Sequence, residues 1–117
     1  MKSIDAVKAL GALAQESRLA LFRVLVKRGP EGFTPSVLAE KLGIAAPTLS
    51  FHLKELQNAG LVSARREGRF LYYSTCFDRM QGLVGFLTDE CCSQAEEACD
   101  ENCKPIAGQA RRRSVAH

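Results

Sequence analysis

Residues 34–58 read TPSVLAEKLGIAAPTLSFHLKELQN, and how this stretch divides decides the fold. Thr34 before Pro35 opens a helix: the hydroxyl can accept one of the orphan N–H groups of the first turn, and proline at the first helical position gives up no hydrogen bond. The helix that follows turns Val37, Leu38 and Leu42 inward and stops at Gly43. After a tight turn of Ile44 to Ala46, Pro47 opens another helix, which holds Leu49, Leu53 and Leu56 on one face and closes at Asn58, Ala59 and Gly60. Two short helices joined by a short glycine-containing turn are the outline of a helix-turn-helix.

Upstream, Ile4, Val7, Leu10 and Leu13, with Ala6 and Ala14 between them, predict a first amphipathic helix. A second runs from Glu16 to Arg28, apolar on most sides through Leu19, Leu21, Phe22, Leu25 and Val26, so it is expected at the domain centre, ended by Gly29 and Pro30. Downstream the period changes to two. Val62 and Ala64 alternate with Ser63 and Arg65, Phe70 and Tyr72 with Leu71 and Tyr73, and Glu67-Gly68 is placed as a two-residue hairpin turn. Asp78 then caps a last helix with Met80, Leu83, Val84 and Leu87 at helical spacing. The expected fold is mainly α with a β-hairpin wing: four helices, two strands and a fifth helix, a winged helix-turn-helix. Residues 1–92 form that domain, and 93–117 form a cysteine-containing tail whose end, KPIAGQARRRSVAH, has no period and reads as loose.

The net charge of +3 is unevenly distributed. Residues 1–88 hold twelve Lys/Arg and seven Asp/Glu (+5), residues 89–101 six acids and no base (−6), and residues 102–117 four bases (+4). A basic body can meet phosphate, whereas the acidic segment should be kept from it. The chain has no run of about 18 apolar residues and its N-terminal helix is interrupted by charges, so neither a membrane span nor a secretory signal is read; a cytosolic protein is expected. There the five cysteines, an odd count, stay reduced and suit soft-metal chemistry better than a disulfide framework.

A helix-turn-helix places the N-terminal turns of its second helix in the major groove. Pro47, Thr48, Ser50 and Phe51 would offer hydroxyls and apolar contacts to base edges, and Lys54 would reach phosphate. Arg65, Arg66 and Arg69 around Gly68 make a wing tip able to lie against backbone or minor groove. His52, beside the apolar stripe, can be either a packed histidine or a base contact, and it is carried in the DNA-facing set.

The segments TLSFHLKELQNAGLV, REGRFLYYS and FLTDECC strongly resemble the ArsR/SmtB family of metal-sensing repressors, its arsenic-responsive branch in particular, over residues 5–92. The resemblance implies a homodimer joined by its first and last helices, bound to a palindromic operator in double-stranded DNA until an inducer arrives. The stripe Met80, Leu83, Val84 and Leu87 then reads as half of a two-fold interface rather than as core alone.

Cys91 and Cys92 are adjacent, Cys99 follows after six residues and Cys103 after three more. Three soft thiolates suit trivalent arsenic or antimony. By resemblance to members that use a vicinal pair plus one later cysteine, the ligands of As(III) or Sb(III) are Cys91, Cys92 and Cys99, with Cys103 as substitute or fourth sulfur. The metalloid is the inducer, and no organic cofactor is expected. The cysteine box that other members carry before the recognition helix is absent, since that segment reads VLAEKLG, and a zinc-type site lacks histidines beyond His52 and His117. The alternatives are another soft ion (cadmium, lead or zinc, the last through all four cysteines), thiol oxidation, or a thiol enzyme such as an arsenate reductase. Against the enzyme, this chain shows no phosphate-type anion loop and no base beside the thiols, and its acidic segment would repel arsenate. Cys76, alone at a strand end, reads as a small packed residue.

Overall fold

The computed structural model describes residues 1–94 and divides the chain into Met1–Leu87 and Thr88–His117. Seven elements follow in order: α1 (Ser3–Leu13), α2 (Glu16–Arg28), α3 (Pro35–Leu42), α4 (Ala46–Asn58), β1 (Val62–Glu67), β2 (Phe70–Thr75) and α5 (Phe77–Thr88). This is the winged helix-turn-helix order expected from the sequence.

The core is built of leucine. Leu21 and Leu25 of α2, Leu38 of α3, Leu49, Leu53 and Leu56 of α4, and Leu61 are all fully buried, with Phe22, Val62 and Leu83 packed around them. Each fully buried leucine contributes about 1.5–3 kcal/mol relative to an exposed one, so this cluster fixes α4 against α2 and α3. α2 starts where expected because the Gln15 side chain accepts from the Arg18 backbone N–H at 2.8 Å, and it ends at Gly29. Its apolar residues do not all point inward: Leu19 and Val26 are exposed. Val37 of α3 is exposed as well, leaving Leu38 as the buried anchor of that helix.

α1 is amphipathic, as expected, with its stripe of large residues turned outward. Its core face is Ala6, Ala9 and Ala12, while Ile4, at 70% exposure, Val7, at 66%, and Leu10 face outward. Both sets repeat at helical spacing, but the small side chains let the helix axis approach its neighbours closely, and the large ones are left on the free surface.

Local details shift the helix starts slightly. Thr34 precedes α3 without a side-chain cap; its hydroxyl lies 3.4 Å from that of Ser36. Ala45 precedes α4, so Pro47 is the second helical residue rather than the first. Gly43, at φ +65°, takes the left-handed position that ends α3 and opens the turn. Cys76, not Asp78, is the residue before α5: its carbonyl accepts from Met80 N–H at 3.1 Å, which leaves Asp78 in the first turn, where its carboxylate meets the positive helix end.

In the hairpin, Val62 pairs with Thr75 and Glu67 with Phe70, so the turn is Gly68-Arg69, one residue later than the sequence placed it. Gly68 at φ +63° takes the left-handed corner. One further pairing was not foreseen: Phe33 donates to Tyr73 O at 3.0 Å and Tyr73 donates back at 2.9 Å, a bridge joining the α2–α3 connection to β2. Gly32 permits it, because a Cβ there would overlap the Tyr73 carbonyl. No described helix is long and apolar enough to cross a membrane.

Candidate nucleic-acid interface

Because Leu49, Leu53 and Leu56 anchor one face of α4, the opposite face is fixed in solvent. Pro47, Thr48, Ser50, Phe51 and Lys54 all lie exposed on it. Phe51, 55% exposed, is a large aromatic ring held in water on a helix that has room for it inside only at the cost of a leucine. Hydroxyls, an apolar ring and an ammonium on one exposed helix face form a surface suited to base edges and phosphate.

His52 departs from that set. It is 6% exposed, on the buried face of α4, and its Nδ1 lies 3.3 Å from Arg18 NH1. A ring so placed does not reach a base edge. The guanidinium has no acceptor atom, so Nδ1 takes its proton as acceptor and the neutral ring carries its own hydrogen on Nε2. Burial first, and then the neighbouring Arg18 charge, hold the ring's pKa below 6.5 against a smaller opposing pull from Glu55.

Arg18 itself was not anticipated. Its Nε donates to Ala12 O at 2.7 Å, and its guanidinium stands 6.0 Å from the centre of the Phe51 ring. The sequence signal was a lone arginine inside the apolar run ESRLALF, which reads equally well as a solvated residue.

The wing divides its three arginines between two tasks. Arg65 is occupied: Nε donates to Glu67 Oε2 at 2.7 Å, NH1 to Pro30 O and NH2 to Glu31 O, each at 3.1 Å, and the guanidinium lies 5.3 Å from the Tyr72 ring centre. With both terminal nitrogens donating to backbone carbonyls, Arg65 fastens the hairpin to the α2–α3 connection while its side chain stays partly exposed. Arg66 and Arg69 are exposed and have no ion pair among the described residues.

After α5 the chain makes two tight backbone contacts, Cys91 N–H to Thr88 O at 3.0 Å and Ser93 N–H to Glu90 O at 2.9 Å. The Cys91 and Cys92 side chains are exposed and their sulfurs lie 3.7 Å apart, well beyond a disulfide bond of about 2.05 Å. The backbone at Cys92 has φ +64°, uncommon for a residue with a side chain. Among the described residues no group of three His, Cys, Asp or Glu side chains converges as a metal site. Cys99 and Cys103 lie outside the described residues. Cys76 is half-buried at the end of β2.

A family model described as a helix-turn-helix domain matches residues 13–64, from the end of α1 into β1. The chain is 35% identical over 102 residues to a probable mercury resistance operon repressor of Streptomyces lividans, covering 87% of this chain and 78% of that protein. A solution structure of a homodimeric winged helix-turn-helix DNA-binding domain from Mycobacterium bovis, described as a possible ArsR-family regulator, superposes with a TM-score of 0.59 at 30% identity, covering 81% of this chain and 88% of that one. The chain belongs to the ArsR/SmtB family. Nodulation protein NolR of Rhizobium meliloti is 38% identical over 80 residues, 68% of this chain, which spans only 63% of that protein's length. A cadmium resistance regulator homologue of Staphylococcus aureus is 30% identical over 81 residues, 69% of this chain and 65% of that one. An ArsR-like regulator from Rhodococcus, at 22% identity and a TM-score of 0.66, covers 97% of this chain and 89% of that one and shares the fold. An ArsR/SmtB chain is a transcriptional regulator and not an enzyme, which removes the thiol-reductase reading.

Proposed function

We propose that this ArsR/SmtB protein is a homodimeric repressor that holds operator duplex through α4 and the wing, and that lets go when As(III) or Sb(III) is captured by Cys91, Cys92 and a third sulfur, Cys99 or Cys103. Thr48, Ser50 and Phe51 read bases; Lys54, Arg66 and Arg69 meet phosphate. The second copy covers the outward apolar faces of α1 and α5, Ile4 and Val7 on one and Leu87 on the other, together with a groove of about 350 Å³ between α2 and α5 lined by Leu19, Phe22, Val26 and Leu83. Large apolar side chains gathered on one exposed surface mark an interaction site, and two recognition helices must reach successive major grooves.

The observation that carries the sensing half is the vicinal thiol pair. The Cys91 and Cys92 sulfurs stand 3.7 Å apart on neighbouring residues, close enough for one soft ion to take both with a small side-chain adjustment. The pair begins three residues after the last residue of α5. A coupling of about 1–3 kcal/mol between ion capture and dimer geometry lowers operator affinity roughly 5- to 150-fold, enough for induction.

A second reading, a divalent soft cation such as mercuric or cadmium ion, is favoured by the two metal-resistance relatives and by the six acidic residues of 89–101, which attract a cation and do nothing for neutral arsenous acid. Titrating arsenite, cadmium and mercuric ion into the protein–duplex complex separates them. Release at the lowest arsenite concentration, lost in Cys91→Ser/Cys92→Ser, is the expected result. Release by arsenite that persists in that double variant sinks the proposed site.

A further inference from the structure

The buried face of the recognition helix carries a polar link that the leucine core does not need. Arg18 starts on α2, donates through Nε to the carbonyl of Ala12 in the last turn of α1 at 2.7 Å, and reaches His52 Nδ1 on α4 through NH1 at 3.3 Å. No buried side-chain nitrogen or oxygen among the described residues is left without a partner, so the link is satisfied as built. Its elements are otherwise joined by apolar contacts, which fix which face of α4 turns outward but resist small rotations and slides less sharply than an angle-dependent hydrogen bond does. A planar fork with fixed N–H directions tolerates neither.

We propose that Arg18 is a positioning residue for DNA reading: by bridging the Ala12 carbonyl and His52, it fixes the rotation of α4 about its own axis and so the angle at which Thr48, Ser50 and Phe51 meet the groove. The inference rests on the duplex-binding part of the function proposed above. Phe51 follows most directly, since its ring precedes His52 on the helix and lies beside the same guanidinium. The base-edge hydrogen bonds that specify sequence depend steeply on angle, whereas phosphate contacts by flexible lysine and arginine side chains do not. Loosening the link therefore weakens binding to the preferred sequence and leaves binding to arbitrary duplex nearly unchanged. The ring stays neutral in this role. The charges acting on it are Arg18 from α2, which opposes a proton, and Glu55 from α4, which favours one.

The test uses two duplex probes of equal length: one enriched from a random-sequence pool by the wild-type protein, the other of scrambled sequence. Arg18→Lys keeps the charge but cannot span both acceptors with a rigid fork. The expected result is a loss of roughly tenfold in the ratio of enriched to scrambled affinity, with the scrambled affinity and the salt slope unchanged and the urea midpoint within the range of a surface substitution. His52→Asn keeps an acceptor near the Nδ1 position and should retain most of the ratio, whereas His52→Leu should lose it, which separates positioning from packing. In Arg18→Gln the His52 ring should titrate at higher pH by NMR than in wild type, since one of the groups opposing its proton is gone.

An Arg18→Lys protein with the wild-type ratio overturns the proposal. So does an Arg18→Gln protein that loses both affinities equally with a salt slope reduced by about 0.9, because that is the signature of a direct phosphate contact. Failure of the wild-type protein to enrich any sequence overturns the duplex-reading proposal itself, and this one with it.

Discussion

α1 and α4 are both amphipathic helices of the same small domain, yet they spend their large apolar residues in opposite directions. α4 buries Leu49, Leu53 and Leu56 and shows polar residues and Phe51 to solvent; α1 buries three alanines and shows Ile4, Val7 and Leu10. A helix of the first kind is complete within one protomer, and its outward residues are available for a polar partner such as DNA. A helix of the second kind is complete only when something apolar covers it. The difference separates the two interactions that a dimeric repressor needs.

The sharpest way to break this comparison is a truncation on each helix. Leu53→Ala should cost about 2–5 kcal/mol of unfolding free energy, read as a lowered urea midpoint, because it opens a cavity among residues that have no room to collapse. Val7→Ala should stay within about 0.5 kcal/mol for the isolated protomer. Equal losses would mean that α1 is core after all. A charge makes the complementary test: Val7→Asp should leave the protomer folded but shift sedimentation from dimer to monomer and lower affinity for the enriched duplex by more than tenfold, since two half-sites can no longer be held together. A Val7→Asp protein that sediments as wild type removes α1 from the seam.

Much of this architecture was legible beforehand, and the misses share a cause. The limits of α2 and the end of α4 were readable because glycines and period breaks are local signals, as was the inward face of α4, where only one set of large residues repeats at helical spacing. α1 offered two such sets, and volume rather than hydrophobicity chose between them: close approach to the neighbouring helices required Ala6, Ala9 and Ala12. The hairpin turn moved by one residue because Glu67-Gly68 and Gly68-Arg69 both contain the glycine the corner needs. What no local pattern could give were contacts across the chain: Arg18 with His52, 34 residues away, Arg65 with Pro30 and Glu31, and the Phe33–Tyr73 bridge. Each gives a side chain or backbone group a holding role that its own segment does not show.

The wing gives a smaller version of the same contrast, with Arg65 turned inward to hold and Arg66 and Arg69 turned outward. Arg65→Gln should loosen the hairpin and cost roughly 1–2 kcal/mol in stability through its lost backbone hydrogen bonds, discounted because the side chain is partly exposed. Arg69→Gln should leave stability unchanged, weaken enriched and scrambled duplex alike and lower the salt slope by about 0.9. Lys54→Gln on α4 should behave as Arg69→Gln does. If Arg65→Gln instead matched the Arg69 pattern, the hydrogen bonds to Pro30 and Glu31 would not be what Arg65 contributes.

The smallest expected effect is on pH dependence, and it bears on the one polar side chain that α4 buries. In the folded protein His52 has its pKa held below 6.5 by burial and by Arg18, while in the unfolded chain it titrates near 6.5. Above that value both states are neutral and the ring adds no slope. As pH falls below it, the unfolded chain takes up a proton that the folded protein refuses, so unfolding is favoured until the folded-state value is reached and the slope vanishes again. The urea midpoint should therefore be flat from pH 8 to about 7 and decline on acidification through 6.5, and His52→Asn should remove that decline while sharing every other titration with the wild type. Parallel curves for the two proteins would mean that the ring is hydrated and protonates as freely in the fold as out of it, and the neutral acceptor that Arg18 grips would not exist.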